Sequence, residues 1–147
     1  MVQRGVAVNF LVAGEGELFE ESKERARREN LPVTFLGWRK DIDNLFAVSD
    51  IAILTSDNEG IPLTLIQAAQ AGLPIVAPAV GSISDIVEND VTGFLSAPQA
   101  GAMASALSTL VTDSALRSKL GAAGKARAHQ YFSLERMLRD HTGIYMA

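Results

Sequence analysis

Strand-like and helix-like segments alternate along the whole chain, and this alternation restricts the possible folds more than any other feature. Short apolar runs such as Val6–Ala13 and the β-branched Ile51–Thr55 are separated by segments whose apolar residues have helical spacing. Uncharged runs of this kind are typical of strands buried on both faces, which occur in parallel sheets covered by helices. The sequence therefore predicts an α/β fold, a Rossmann-like parallel sheet with helices on both faces and right-handed crossovers.

The predicted elements follow one another without a repeat or a linker, so the 147 residues are predicted to form one domain. Strands are predicted at Val6–Ala13, Val33–Leu36, Ile51–Thr55, Leu73–Ala77 and Gly93–Ser96. Helices are predicted at Leu18–Asn30, Asp41–Ser49, Pro62–Ala71 and Ser84–Glu88, from Ala100, and at Ala115–Tyr131 and Leu134–Tyr145. Ser133 is the expected N-cap of the last helix.

The composition argues against several classes of function. The chain has no cysteine, which excludes disulfides, thiolate metal sites and thiol nucleophiles. Its net charge is −4 and its basic residues are dispersed, so nucleic acid is not an expected partner. No apolar run approaches the roughly 18 residues that cross a bilayer, and no signal peptide follows Met1. We therefore expect a cytoplasmic protein.

Metal and triad chemistry are not expected from this sequence. His129 and His141 lie in the predicted C-terminal helices without an acidic partner at triad spacing, and they are interpreted as ordinary surface histidines. No group of histidines and acids has the spacing of metal ligands.

Three glycine-containing loops follow predicted strands, at the edge where open parallel sheets bind their ligands. These loops are Gly14–Gly16, Ser56–Gly60 and Gly81–Ser82. The middle loop leads into a helix, and the free amides and positive dipole at a helix start favour a phosphate or another anion. Because Pro62 has no N–H, the expected donors are the amides of Ile61, Leu63 and Thr64, together with the Thr64 hydroxyl.

The middle loop also carries acidic residues, which need a role other than binding phosphate. A carboxylate accepts several strong hydrogen bonds, and sugar hydroxyls can supply them. In the following helix, Thr64, Gln67 and Gln70 form a polar side at i,i+3 spacing, and a ribose or sugar could bond to it. The alternative is that Gln70 lies at the surface and Gln67 bonds to a neighbouring loop.

Two further features have a functional and a structural interpretation. The run Gly14-Glu15-Gly16 matches the first half of a dinucleotide-binding fingerprint, but Phe19 stands where the third glycine is expected, and the run is also typical of a tight turn. Trp38 could stack on a nucleobase, or it could pack in the core or at its rim.

Four consecutive motifs resemble those of family 4 retaining glycosyltransferases of the GT-B fold. Asn58–Ala68 resembles the Glu-x7-Glu signature of the family, and Ala71–Ala77 resembles its AxGxPVVA turn. Gly81–Val87 is similar to GGxxEIV, and Asn89–Leu95 is similar to DGxTGFL. The resemblance implies the C-terminal, donor-binding lobe of an enzyme that transfers a sugar, with retention, from a nucleotide-diphosphate sugar. The acceptor would be a growing polysaccharide, a glycolipid or another glycan.

The resemblance also implies roles for individual residues. Glu59 is the implied catalytic residue, since the first acid of the signature binds donor-sugar hydroxyls, and the amides from Gly60 to Leu63 would hold the sugar and diphosphate. The second acid, which binds the ribose, is replaced here by Gln67, which has no charge. No cofactor or metal is implied. The candidate donor-binding residues are Gly14, Gly16, Gly37, Trp38, Arg39, Glu59, Gly60, Ile61, Pro62, Leu63, Thr64 and Gln67.

Compared with the family, the chain is expected to be incomplete. The resemblance implies that the first βα unit, with an Arg and a Lys for the donor phosphates, is missing, as is the acceptor-binding lobe. Residues 1–147 would then form an incomplete donor lobe, in which the C-terminal helix at residues 133–147 packs back toward the missing lobe. The acceptor would bind through that lobe, and the full enzyme could associate peripherally with the inner face of the membrane.

A missing central strand has consequences for the rest of the sheet. Val6–Ala13 and Ile51–Thr55 would either pair with each other or leave a gap, and exposed strand edges favour aggregation. The isolated chain is therefore predicted to be poorly soluble or inactive. Two alternative functions remain, a non-catalytic nucleotide-binding module or inactive fragment, and a flavodoxin-like regulatory domain. The second is disfavoured because the strand ends lack an acidic pocket with a lysine partner.

Overall fold

The structure, a computed structural model, describes residues 7–145 and divides into two compact units, the first up to Ile42 and the second from Asp43. The first unit contains β1 (Phe10–Ala13), α1 (Phe19–Arg28) and β2 (Val33–Gly37), and α2 (Ile42–Ala47) begins at the boundary. The second unit continues with β3 (Ala52–Ile53), α3 (Leu63–Ala71), β4 (Ile75–Pro78), α4 (Ile83–Ile86), β5 (Gly93–Ser96), α5 (Ala100–Thr112), α6 (Ser114–Tyr131) and α7 (Leu134–Tyr145).

The first unit is a single parallel strand pair joined by a helix. β1 and β2 pair in register from Phe10 opposite Val33 to Ala13 opposite Gly37, with an irregularity before the last pair. Phe19 of α1 contacts Phe35 of β2 edge to face, with ring centroids 5.6 Å apart. This aromatic contact and the buried Ala26 attach the charged helix to the strands.

The second unit is built around β4. Its sheet has the order β3-β4-β5, all pairs are parallel, and every residue of β4 is buried. Side chains of α3, α4 and α6 complete the core, among them Leu65, Ile83, Ile86 and Ala128. Parallel strands that alternate with helices confirm the α/β class expected from the sequence.

The strands form two sheets rather than one. Among the described residues, β1 pairs with β2 and β3 pairs with β4, so β1 and β3 do not pair with each other. The sequence predicted that these two strands would either pair with each other or leave a gap, and the described residues show no direct pairing between them. β3 is shorter than predicted, with two residues instead of Ile51–Thr55, and β4 is its one ladder partner among the described residues. Val6, the predicted start of the first strand, lies outside the described residues.

α7 leaves an apolar stripe exposed. The amide of Arg136 donates to Ser133 Oγ at 3.2 Å, which confirms Ser133 as the cap of this helix. Leu134, Met137 and Leu138 lie at helical spacing, and each is half exposed or more. Residues 146 and 147 of the predicted C-terminal helix lie outside the described residues. No helix between residues 7 and 145 combines the length and apolarity of a membrane span.

α6 crosses the end of α3 at a glycine. A methyl group on Gly121 would overlap the carbonyl oxygen of Gly72, the left-handed residue (φ 85°) that ends α3. We expect Gly121→Ala to lower the free energy of unfolding by about 1–3 kcal/mol through overpacking, even though alanine favours helices. Gly101→Ala in α5 is the matched control: nothing lies near its added methyl group, so about 0.5–1 kcal/mol of stabilisation is expected. Urea denaturation measures both, and an unchanged G121A midpoint would contradict this packing.

Candidate functional site

In the second unit, the candidate residues lie in the loop between β3 and α3. We call residues 56–61 the Glu59 loop. Asp57 and Asn58 are exposed, whereas Glu59 is partly buried. β3 and β4 are parallel neighbours, so the loops that follow them lie at the same edge of the sheet.

The turn after β4, residues 79–82, packs directly against the Glu59 loop. Gly81 has φ +52°, and a methyl group on it would overlap the carbonyl oxygen of Glu59. Only glycine therefore allows this backbone approach, which fixes the position of Glu59 along the sheet edge. The sequence indicated both loops as candidates but not the contact between them.

The start of α3 offers unpaired amides. Pro62 is the N-cap, in extended conformation, and no side chain caps the helix. The Pro62 carbonyl accepts from the amides of Leu65 (3.0 Å) and Ile66 (3.4 Å). The amides of Leu63 and Thr64 donate to no backbone or side-chain acceptor among residues 7–145. This first turn can therefore donate two hydrogen bonds to an anion, with the helix dipole adding to the attraction.

α3 has a buried side and an exposed side. Leu65, Ile66 and two alanines are buried, while Leu63, Thr64 and Gln67 are exposed. The side chain of Gln67 makes no hydrogen bond to another described residue, so the predicted alternative in which it bonds to a neighbouring loop does not hold. Gln70 is only partly exposed. The amide group of Gln67 is thus available on the side of the helix that carries Thr64.

In the first unit, the loops after β1 and β2 are bonded to each other. The Gly14 amide donates to the Gly37 carbonyl at 2.8 Å, and the Trp38 amide donates to Glu15 Oε1 at 3.2 Å. Gly14 (φ 128°) and Gly37 (φ 64°) both have backbone conformations that favour glycine. Glu15 therefore orients the segment that carries Trp38, a role that the sequence reasoning missed because it depends on the pairing of β1 with β2.

Trp38 is exposed and is not a core residue. Its side chain is 63% accessible, and the ammonium group of Lys40 lies 5.4 Å from the ring centroid. Gly16, in the loop after β1, has open space around it, because a Cβ there would meet nothing within 4 Å. Its carbonyl accepts a hydrogen bond from the amide of Phe19, the first residue of α1. The exposed ring can offer a face to a planar ligand.

The guanidinium of Arg39 is held by a carboxylate. Its Nε donates to Asp41 Oδ1 at 2.8 Å and its Nη2 to Asp41 Oδ2 at 2.6 Å. The hydrogen bond to Asp41 and the charge of that carboxylate raise the pKa of Arg39, so the guanidinium is charged at every ordinary pH. An anion that contacts Arg39 would have to share it with Asp41, a partner two residues away that the sequence analysis did not consider.

The candidate residues therefore form two sets, one at the carboxyl edge of each sheet. The first contains Gly14, Gly37, Trp38 and Arg39, with Gly16 beside them, and the second contains Glu59, Gly60, Ile61, Pro62, Leu63, Thr64 and Gln67. Between residues 7 and 145, no three histidine, aspartate or glutamate side chains are grouped so that they could hold a metal ion. The second set combines anion donors with a carboxylate, which suits a ligand that has phosphate and hydroxyl groups.

Comparisons with known proteins give matches along most of the chain. The family model described as "Glycosyl transferases group 1" matches residues 2–127. The UDP-Gal:alpha-D-GlcNAc-diphosphoundecaprenol alpha-1,3-galactosyltransferase of Escherichia coli is 36% identical over 89 residues, which cover 58% of this chain and 23% of that enzyme. The lipopolysaccharide core biosynthesis mannosyltransferase LpsB of Rhizobium meliloti is 29% identical, over 96% of this chain and 42% of its own length.

Solved structures match the fold over almost the whole chain. Anabaena Alr3699/HepE in complex with UDP superposes with a TM-score of 0.89 at 26% identity, covering 95% of this chain and 41% of HepE. Sucrose-phosphate synthase from Thermosynechococcus elongatus gives a TM-score of 0.86 at 26% identity, covering 92% of this chain and 37% of the synthase. The chain thus spans between 23% and 42% of the length of these proteins.

Proposed function

Because the chain belongs to the group 1 family of glycosyl transferases, we propose that it forms the donor-binding half of a sugar-transferring enzyme. The donor is a nucleotide-diphosphate sugar. The observation that carries the proposal is the start of α3, where the amides of Leu63 and Thr64 follow directly on the carboxylate-bearing Glu59 loop and have no acceptor among residues 7–145.

The diphosphate binds at the first turn of α3. The two free amides and the positive end of the helix dipole attract negative charge, and Thr64 adds an exposed hydroxyl. When the sugar leaves, negative charge builds up on the diphosphate. Donors that are already oriented toward that charge stabilise the transition state without having to reorganise.

Glu59 binds the sugar. The backbone of its loop is fixed by the contact with Gly81, and the loop leads directly into the start of α3. As an ionised acceptor it can take two sugar hydroxyls. In this account Glu59 orients the sugar ring for transfer and does not act as a base.

Gln67 binds the ribose, with one neutral hydrogen bond. We expect Gln67→Glu to tighten UDP binding by about five- to tenfold, since hydrogen bonds to charged groups are stronger by about 1 kcal/mol. The matched control is 2′,3′-dideoxy-UDP, whose affinity should not improve because it has no ribose hydroxyls. Calorimetry measures the affinity of both ligands for the two proteins. An equal change in affinity for UDP and for the dideoxy analogue would show that Gln67 does not bind the ribose.

In the first unit, Trp38 is proposed as a stacking residue for a nucleobase. The exposed ring of Trp38 supplies a stacking face, and the Gly14–Gly37 and Glu15–Trp38 hydrogen bonds hold its loop in place. Gly16 and Arg39 border the same loops. A stacked base is worth about 1–3 kcal/mol by alanine substitution in proteins that bind single-stranded nucleic acids.

The acceptor is proposed to be a growing polysaccharide, a glycolipid or another glycan. Support comes from the relatives, one of which is named for a diphosphoundecaprenol substrate and another for lipopolysaccharide core biosynthesis. The acceptor is proposed to bind to a separate lobe, against which the exposed stripe of α7 would pack. The full enzyme would work in the cytoplasm, at the inner face of the membrane, with retention of configuration and without a metal or a cofactor.

Donor binding by the isolated chain tests this function. Calorimetric titration with UDP, GDP and their common sugars should give one preferred nucleotide sugar, while ATP at the same concentration should bind more weakly. We expect binding without transfer, because the chain spans only 23% to 42% of the length of the transferases that it matches. A chain that binds ATP as well as any nucleotide sugar would contradict the proposal.

A second candidate is a non-catalytic nucleotide-binding module, which the neutral Gln67 favours. The two are distinguished in the full-length protein. A transferase consumes the preferred donor when acceptor is present and gives a product of the donor's anomeric configuration. A binding module leaves the donor intact.

A further inference from the structure

We propose that Arg127 of α6 is a positioning residue for Glu59, acting through α4 and the turn at residues 79–82. The inference rests on the proposed function for the role of Glu59, but its structural part stands on contacts within the second unit. Arg127 is distant in sequence from both loops of the site.

Arg127 binds the segment that ends α4. Its Nη2 donates to the Asp85 carbonyl at 3.0 Å and its Nε to the Ile86 carbonyl at 3.2 Å. Its Nη1 lies 3.4 Å from Glu88 Oε2. The planar guanidinium thus bridges three acceptors of one short segment, which a lysine ammonium cannot match in geometry.

α4 needs such a partner because it is a single turn of four residues. The last carbonyls of a helix accept no hydrogen bond from an amide of the same helix, and a one-turn helix is not stable by itself. The carbonyls of Asp85 and Ile86 are in this position, and Arg127 satisfies both. The buried side chains of Ile83 and Ile86 attach the same turn to the core.

The position of α4 determines the position of Glu59. The Ile83 amide donates to the Val80 carbonyl at 3.3 Å, so α4 is continuous with the turn that contains Gly81. The backbone of that turn has no free space against the Glu59 carbonyl. In close-packed structure a shift of α4 is passed on to its neighbours, and here the neighbour is the Glu59 loop.

Arg136 provides a matched control. The guanidinium groups of Arg127 and Arg136 lie 5.1 Å and 5.3 Å from the centroid of the Tyr131 ring. Arg136 pairs with Asp140 in its own helix, and among the described residues it donates to no part of α4. Replacing it removes a similar cation–ring contact and leaves α4 untouched.

The experiment compares the full chain with its R127M, R127K and R136M variants. Amide hydrogen exchange at Asp85 and Val87 should be about tenfold faster or more in R127M, because charge-assisted hydrogen bonds to two carbonyls are lost. R127K should lie between R127M and the wild type. R136M should match the wild type at these amides, and Leu110 in the core should be unchanged in all four. The NMR resonances of Glu59 and Gly60 should move in R127M but not in R136M.

A purely structural role predicts a different binding result. If Arg127 positions Glu59, R127M weakens the preferred nucleotide sugar about tenfold more than it weakens UDP, since UDP carries no sugar for Glu59 to hold. Equal weakening of the two ligands, or unmoved Glu59 and Gly60 resonances, would overturn the inference. If the wild type binds neither ligand, the proposed function fails, and the exchange rates and resonances still decide whether Arg127 positions the Glu59 loop.

Discussion

Replacement of Glu59 by alanine is expected to abolish the contribution of the sugar to donor binding. The wild-type chain should bind the preferred nucleotide sugar more tightly than UDP, because the carboxylate accepts hydrogen bonds from the sugar. One or two hydrogen bonds to a charged group contribute about 1.5–3 kcal/mol, so the sugar-dependent part of the affinity should fall by about 10- to 100-fold. Calorimetry with both ligands measures it, and turnover by the full-length enzyme should fall by at least the same factor.

Asp57 supplies the matched control for this prediction. It is an exposed acid in the same loop, two residues before Glu59. D57A removes the same charge and should leave both affinities within about twofold. Glu59→Gln should lie between wild type and E59A, because one amide oxygen still accepts. Equal losses in E59A and D57A would mean that charge alone is being measured, and the role given to Glu59 would be wrong.

Among substitutions at the carboxyl edge of the β3-β4-β5 sheet, replacement of Gly81 by alanine is expected to lower the stability of the protein most. The residue would have to keep a left-handed conformation, which costs about 1–2 kcal/mol, and its methyl group would overlap the Glu59 carbonyl. Overpacking adds about 1–3 kcal/mol, so the free energy of unfolding should fall by about 2–5 kcal/mol. Urea denaturation at equilibrium measures this loss.

Gly60 allows the cause of that loss to be checked. It lies next to Glu59 in the same loop, its φ is not positive, and a methyl group on it would meet nothing within 4 Å. G60A should therefore change the free energy of unfolding by less than about 1 kcal/mol. If G81A were as stable as G60A, the close approach of the turn to the Glu59 loop would not exist in solution.

Elements fixed by local rules could be predicted almost to the residue. Pro62 and Gly72 bound α3 because proline suits a helix start and glycine accepts the left-handed conformation at its end. The uncharged run before Pro78 becomes the fully buried β4. β3 is shorter than predicted because the length of a strand depends on its ladder partner, which local composition does not specify. The division into two units was not predicted either, because it also depends on which strands pair with each other.

The candidate site shows the same division. The Glu59 loop and the start of α3 could be predicted because a strand, an acidic loop and a proline-started helix follow one another directly in the sequence. The contacts of Glu15 with Trp38, of Gly81 with Glu59 and of Arg127 with α4 join residues from about 20 to 40 positions apart. Such contacts follow from how strands and helices pack, so only the fold reveals them.

The most direct test of the account is an NMR titration of the amide-labelled chain with its preferred nucleotide sugar. The amides of Leu63 and Thr64 are expected to show the largest shifts, because they have no acceptor in the part of the chain that the structure describes and would donate to the diphosphate. Glu59 and Gly60 should respond to the nucleotide sugar more than to UDP. A saturating concentration of donor that leaves Leu63 and Thr64 unshifted would contradict the proposed site.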